Sequence, residues 1–153
     1  METLLGAQLF TQEGVGDIAA ILDGKKVVLL YFAAERCHLC REFTALLAMA
    51  YSSYAKDDVE VVFVSNDQHV EAFKAHYRMM PWLAVPWSDR KAKATLSEGF
   101  CVCGIPRLVV CRPDGIVLCD KGGDRSCFTP GSCKGNGGMG SNIGKPWHQD
   151  DAP

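Results

Sequence analysis

Four things this chain lacks narrow what it can do. Its 16 Lys and Arg stand against 18 Asp and Glu, a net charge of −2, so it has no single-sign surplus of the kind that nucleic acid or acidic lipid attracts. No apolar run approaches the roughly 20 residues that cross a bilayer, and the first ten residues have neither the basic start nor the long apolar region of a secretory signal. No segment repeats. The composition therefore predicts a cytoplasmic protein, a monomer without nucleic-acid or membrane partners. What it does have is cysteine, eight in 153 residues. In a reducing compartment these read as reduced thiols rather than as a disulfide framework, and the length and 48% hydrophobic content suffice for one core without staples.

The chain is organised around Val27–Leu47. Val27–Ala33 is apolar and partly β-branched, the pattern of a strand buried on both faces. One short turn later comes Cys37-x-x-Cys40, and from Cys40 the residues Phe43, Leu46, Leu47, Ala50, Tyr51 and Tyr54 recur at spacings of three and four, one face of a helix. Two thiols thus sit where a strand becomes a helix. The first N–H groups of a helix have no intrahelical partner and carry partial positive charge, and thiols in such places can fall from a pKa of about 8.5 to roughly 3.5–7.5. Cys37 is the expected nucleophile and Cys40, one turn deeper, the thiol that resolves its mixed disulfide. In a chain this rich in cysteine the motif alone weighs little. Its weight comes from the strand before it, the helix after it and the later Gly104-Ile105-Pro106.

Around this unit, Gln8–Phe10 predicts a short edge strand, Val15–Leu22 a short helix and Asp23-Gly24-Lys25 a turn. The Cys37 helix ends near Lys56-Asp57-Asp58. Val59–Val64 is a second buried strand, and Ser65-Asn66-Asp67 can cap the helix marked by Val70, Phe73 and Tyr77. Trp82–Trp87 is a loop or short strand, and a helix runs from about Asp89 to Glu98. Arg107–Cys111 and Ile116–Cys119 flank Pro113-Asp114-Gly115 and form a hairpin. Alternating strands and helices closed by a hairpin give a mixed central β-sheet flanked by helices, an α/β fold with the Cys37 turn at the carboxyl end of a central strand. From Gly122 to Pro153 glycine breaks every periodicity, the mark of an irregular tail.

Taken together, these residues resemble the tryparedoxin and nucleoredoxin branch of the thioredoxin superfamily. The likeness rests on Tyr31-Phe32-Ala33-Ala34, Cys37-x-x-Cys40-Arg41-x-Phe43-Thr44, Val61-Val62-Phe63-Val64-Ser65, Met80-Pro81-Trp82-Leu83-Ala84-Val85-Pro86 and Gly104-Ile105-Pro106. It runs over roughly Leu4–Gly122 and implies a thioredoxin-like domain over residues 1–121, with 122–153 as the tail. It also implies a thiol–disulfide oxidoreductase without a cofactor. The partners implied are disulfide-containing proteins, peroxidases among them, and a small or protein dithiol reductant. From the residues alone Pro106 either starts a strand or adopts a cis bond; the resemblance implies the cis form, facing the cysteines and exposing the backbone of Ile105 to substrate.

Arg36 and His38-Leu39 stand where relatives usually carry Trp and a Pro-containing pair. Arg36, His38, Ile105 and Pro106 are therefore the candidate substrate-contacting residues. Arg36 and a protonated His38 also favour a Cys37 thiolate, which predicts a dithiol more oxidising than the roughly −270 mV of thioredoxin. Two readings from other classes stand beside this one: a redox-sensing or signalling binding module with little turnover, and a thiolate metal site combining Cys37 and Cys40 with Cys101-x-Cys103. Exchange between Cys103 and Cys37 is a further option. Cys111 and Cys119 read as small buried hydrophobes, Cys127 and Cys133 as single thiols of the tail, and His69, His76 and His148 as surface residues. Trp82 and Trp87 read as core, and Glu35 and Asp67 as possible proton relays to Cys40.

Overall fold

In the computed structural model, which describes residues 5, 8–53 and 58–119, seven strands form one mixed sheet. In chain order the elements are β1 (Gln8–Thr11), β2 (Gly14–Asp17), α1 (Ile18–Leu22), β3 (Val27–Ala33), α2 (His38–Ser53), β4 (Val59–Ser65), α3 (Val70–Tyr77), β5 (Leu83–Ala84), α4 (Arg90–Gly99), β6 (Arg107–Cys111) and β7 (Val117–Cys119). Across the sheet the order is β2-β1-β5-β4-β3-β6-β7. β3 lies parallel to β4, with Val27 opposite Val59 and Ala33 opposite Ser65, and antiparallel to β6, with Phe32 opposite Arg107. Its apolar run is buried on both sides because both faces of the sheet are covered.

Alternation along β3 and β4 sorts the core into two layers. Val28, Leu30, Phe32, Val62 and Val64 point to one face and pack with Ile18 and Leu22 of α1 and Ala92 and Leu96 of α4. Tyr31, Ala33, Val61 and Phe63 point to the other and pack with Cys40 of α2 and Phe73 and Tyr77 of α3. Among the described residues no helix is long and apolar enough to cross a membrane.

Local chemistry sets the boundaries. Gly24 takes φ +75, which suits a residue without a Cβ, and the N–H of Lys25 closes the turn on the Leu22 carbonyl at 3.1 Å. Asp89 caps α4 by accepting the Ala92 N–H at 2.9 Å, so the predicted helix start is its cap. The turn at Pro113-Asp114-Gly115 joins β6 to β7.

Four expectations are corrected. β1 is not an edge: it pairs with both β2 and β5, and β2 takes the edge. The Val15–Leu22 helix begins only at Ile18, where Asp17 accepts the Ala20 N–H at 3.1 Å, because Val15-Gly16-Asp17 is used as strand. Gly16 admits the close packing of that corner, since a Cβ there would lie 2.7 Å from Ile21 Cδ1. On α2 the inward row is Cys40, Phe43, Thr44, Leu47, Ala48 and Tyr51, whereas Leu46 and Ala50 face solvent. Finally, Ser65-Asn66-Asp67 does not cap α3; its N-cap is His69, without a side-chain bond, and the Ser-Asn-Asp segment braces the loop before Cys37. Tyr54, the end of the Cys37 helix and everything assigned to Gly122–Pro153, including Cys127, Cys133 and His148, lie outside the described residues.

Candidate active site

β3 carries the chain to the buried residues Ala33 and Ala34 at its carboxyl end, and Cys37 turns it into α2. The Cys37 N–H donates to the Ala34 carbonyl at 3.1 Å, and the Cys37 carbonyl accepts the first helical bond, from the Arg41 N–H at 3.2 Å. Cys37 Sγ accepts the Cys40 N–H at 3.3 Å. The cysteine thus fills the role an N-cap Ser or Asp usually fills, satisfying one orphan donor of the helix with its own side chain. A negative sulfur there faces the positive end of a helix of 16 residues.

The two thiols are unequal. Cys37 is half-buried and reachable; Cys40 is wholly buried. Burial pushes the Cys40 thiol up to about 12, reinforced by its hydrogen bond to Cys37 and by the negative charges of Cys37 and Asp67, against a smaller pull downward from the Ala34 backbone.

Opposite Cys37 stands the loop before β6. The Ile105–Pro106 bond is cis, and the Ile105 carbonyl lies 3.9 Å from Cys37 Sγ. The Ile105 side chain packs against both core layers, which fixes the loop. Asp67 holds the other side: its carboxylate accepts the Glu35 N–H at 2.8 Å and the Ser65 hydroxyl at 2.7 Å, while its carbonyl accepts Trp87 Nε1 and an Arg90 guanidinium N–H, each at 3.4 Å. Arg90 also stacks over the Trp87 ring at 5.0 Å. Glu35 and Asp67 are therefore tied to the site through backbone and charge.

Beneath Cys40 lies a polar network that no local pattern announces. Tyr31 Oη and Thr44 Oγ1 both donate to the Cys40 carbonyl, at 2.9 and 2.8 Å, they lie 2.9 Å from each other, and Thr44 meets His76 Nε2 at 3.1 Å. His76 is not a surface residue, as its isolation in the sequence suggests, but wholly buried, edge-on to Phe63. Desolvation holds its pKa below the ordinary value, against opposing pulls from Asp67 and Glu35.

Of the candidate contact residues, Ile105 meets Cys37 through its carbonyl and Pro106 follows it across the cis bond, while Arg36 and His38 lie exposed beside Cys37 in the chain, His38 Nε2 being 3.8 Å from Glu42. The four-thiolate metal site is not assembled: among the described residues no group of three or more Cys, His, Asp or Glu is placed to hold an ion. Cys111 is buried in the sheet, its thiol donating to the Val28 carbonyl at 3.3 Å and pushed up to about 12 by burial. Trp82 is core and Trp87 half-buried.

A sheet of this order with a Cys-x-x-Cys at a helix start and a cis-proline opposite defines the thioredoxin class, and a family model described as thioredoxin-like matches residues 24–117: the chain belongs to that family. Within it, the chain lies in the tryparedoxin and nucleoredoxin-like branch. It is 46% identical over 99 residues to probable nucleoredoxin 2 of Oryza sativa subsp. japonica, covering 63% of this chain and 25% of that protein. Tryparedoxin I of Crithidia fasciculata is 32% identical with a TM-score of 0.72, covering 78% of this chain and 84% of its own. Tryparedoxin II complexed with glutathionylspermidine is 36% identical with a TM-score of 0.71, covering 75% and 81%. The chain spans about a quarter of the length of the nucleoredoxin it matches.

Proposed function

We propose that the protein exchanges its Cys37–Cys40 dithiol with disulfides of partner proteins. Cys37 as thiolate attacks one sulfur of the partner, a mixed disulfide forms, and the partner's other sulfur leaves as a thiolate that takes up a proton. Cys40 then loses its proton and attacks Cys37 Sγ, which closes the Cys37–Cys40 disulfide and releases the reduced partner. A dithiol reductant returns two electrons. The observation that carries this reading is the asymmetry of the pair: Cys37 is reachable and faces the helix N-terminus, whereas Cys40 is buried with its thiol pushed up to about 12. That keeps Cys40 protonated while Cys37 reacts, and so orders the two steps.

Substrate backbone pairs beside Ile105 and cis-Pro106, and Arg36 and His38 supply the charged rim that a partner meets. Glutathionylspermidine on tryparedoxin II points to a glutathione-derived thiol as the class of small reductant. Disulfide proteins, peroxidases included, are the substrates, and the eight cysteines suit a reducing compartment such as the cytoplasm.

The test is reduction of insulin by dithiothreitol, comparing the native protein with Cys37→Ser and Cys40→Ser. Turnover lost in Cys37→Ser, with a stable mixed disulfide trapped in Cys40→Ser, is the expected result. A native protein that oxidises reversibly yet turns nothing over would instead favour the redox-sensing module.

A further inference from the structure

Outside the main pair, a second pair of thiols sits on the loop that faces Cys37. Phe100 and Val102 pack against the aliphatic core layer, while Cys101 is half-buried and Cys103 exposed. Anchoring residues thus alternate with cysteines, so the core holds the loop while both thiols remain within reach of solvent. Cys101 adopts φ 48, a left-handed conformation that is uncommon for a residue with a Cβ, and closes the end of α4: its N–H donates to the Glu98 carbonyl at 3.2 Å and the Val102 N–H to the Ser97 carbonyl at 2.9 Å. Beyond that helix end, the Cys103 thiol donates to the Cys101 carbonyl at 3.4 Å. The next residue, Gly104, has nothing within 4 Å of where a Cβ would stand. After it comes Ile105, whose carbonyl lies 3.9 Å from Cys37 Sγ. Cα atoms two residues apart lie at most about 7.2 Å from each other even in an extended chain, so the roughly 4.4–6.8 Å that a disulfide spans is within their reach.

We propose that Cys101 and Cys103 form a second redox pair, closed into a ring by a small disulfide of the glutathione class, and that ring closure re-aims the Ile105 carbonyl at the Cys37 site. In the first step the Cys103 thiolate attacks the small disulfide, forming a mixed disulfide and expelling one thiolate. The Cys101 thiolate then displaces the second small thiol, so the S–S bond between Cys101 and Cys103 replaces the one consumed, and the protons of both cysteines leave with the two thiols. Small, exposed ring disulfides belong to the labile, easily reduced class, which suits a reversible control. The control over substrate exchange rests on the function proposed above; the ring itself does not.

Peptide mapping tests the ring directly. Trypsin releases Ala94–Arg107, which contains Cys101 and Cys103 and no other cysteine. Full-length protein is equilibrated with mixtures of reduced and oxidised glutathione, quenched in acid, alkylated and digested. Above a threshold of oxidised glutathione this peptide should be unalkylated and lighter than the dithiol by two hydrogen atoms, and it should remain so in the Cys37→Ser/Cys40→Ser double variant. A peptide alkylated on both cysteines at every ratio overturns the proposal, as does one carrying glutathione on Cys103 or one joined to the Cys37 peptide. Gating is read in the oxidising direction, with a reduced peptide dithiol as donor and oxidised glutathione as acceptor, so that the ring stays closed. Misplacing a reacting centre by about 1 Å can cost up to about 10²-fold, and Cys101→Ser, which cannot close the ring, should turn over about tenfold faster than native protein. Equal rates overturn the gating. Should neither protein turn over, the function proposed above fails, and the peptide map still decides the ring.

Discussion

The two faces of the sheet are built differently. The face under α1 and α4 is mainly aliphatic: Leu9, Ile18, Leu22, Val28, Leu30, Val62, Val64, Leu96 and Val109 interlock around one wholly buried ring, Phe32. The face under α2 and α3 is aromatic and hydrogen-bonded: Tyr31, Phe63, Phe73, Tyr77 and Trp82 pack at ring separations of 5.6–6.3 Å, and Thr44 and His76 sit fully buried among them. Apolar burial is non-directional, so the first face supplies stability. Hydrogen bonds fix direction, and the second face uses them to hold the first turn of α2, where both reactive sulfurs are.

The sharpest way to separate the two roles is to damage each face in turn. Leu30→Ala, on the aliphatic side, should cost about 2–5 kcal/mol of stability by denaturant titration and leave the redox potential of the Cys37–Cys40 pair unchanged in glutathione equilibration. A shifted potential in that variant would break the comparison. Thr44→Val, on the other side, should cost less, about 1–3 kcal/mol for the partners left unsatisfied. It should also loosen the Cys40 carbonyl's two hydroxyl donors and lengthen the life of the mixed disulfide with Cys37. That lifetime is measurable as the decay of the trapped complex, and Leu30→Ala should leave it alone.

The same contrast governs pH. His76 is buried with its pKa held low by desolvation, so the folded chain prefers the neutral ring. Stability from this group is full above the unfolded value of about 6.5 and is lost as pH falls from there toward the folded value, because the unfolded state then binds the extra proton. The slope cannot exceed about 1.4 kcal/mol per pH unit for one proton. His76→Gln, which retains a hydrogen-bonding group for Thr44, should flatten the stability profile below that pH.

What the residues disclose by themselves follows the same division. β3, the Pro-Asp-Gly hairpin and the helix that starts at about Asp89 are legible because an apolar run, a turn triplet and a helix-starting side chain act within a few residues. The Cys37 motif is legible for the same reason, while the cis form of Pro106 enters through family likeness. The inward row of α2 is misread at Leu46 and Ala50 because hydrophobicity alone marks it, whereas Thr44 is inward by virtue of partners on β3 and α3. His76 pairs with Thr44 across 32 positions, so no local pattern points to it. β2 hides in Gly-Val-Gly-Asp, which lacks a strand's composition and is made a strand by its pairing with β1.

The smallest effect belongs to the rim, where neither face reaches. Arg36 and His38 are exposed, and the His38–Glu42 contact at 3.8 Å joins two largely solvated groups. Exposed charge pairs are worth about 0.2–1 kcal/mol, which for a two-electron couple is about 4–20 mV. The Arg36→Ala/His38→Ala double variant should therefore make the pair more reducing by no more than about that amount, and lower stability by no more than about 1 kcal/mol. The expected direction follows from charge alone: cations beside a thiolate favour the reduced form of a dithiol, so their loss is expected to make the couple less oxidising. A shift several times larger in glutathione equilibration would mean that the rim tunes the couple as strongly as the buried network, and the division between a positioning interior and a solvated edge would fail.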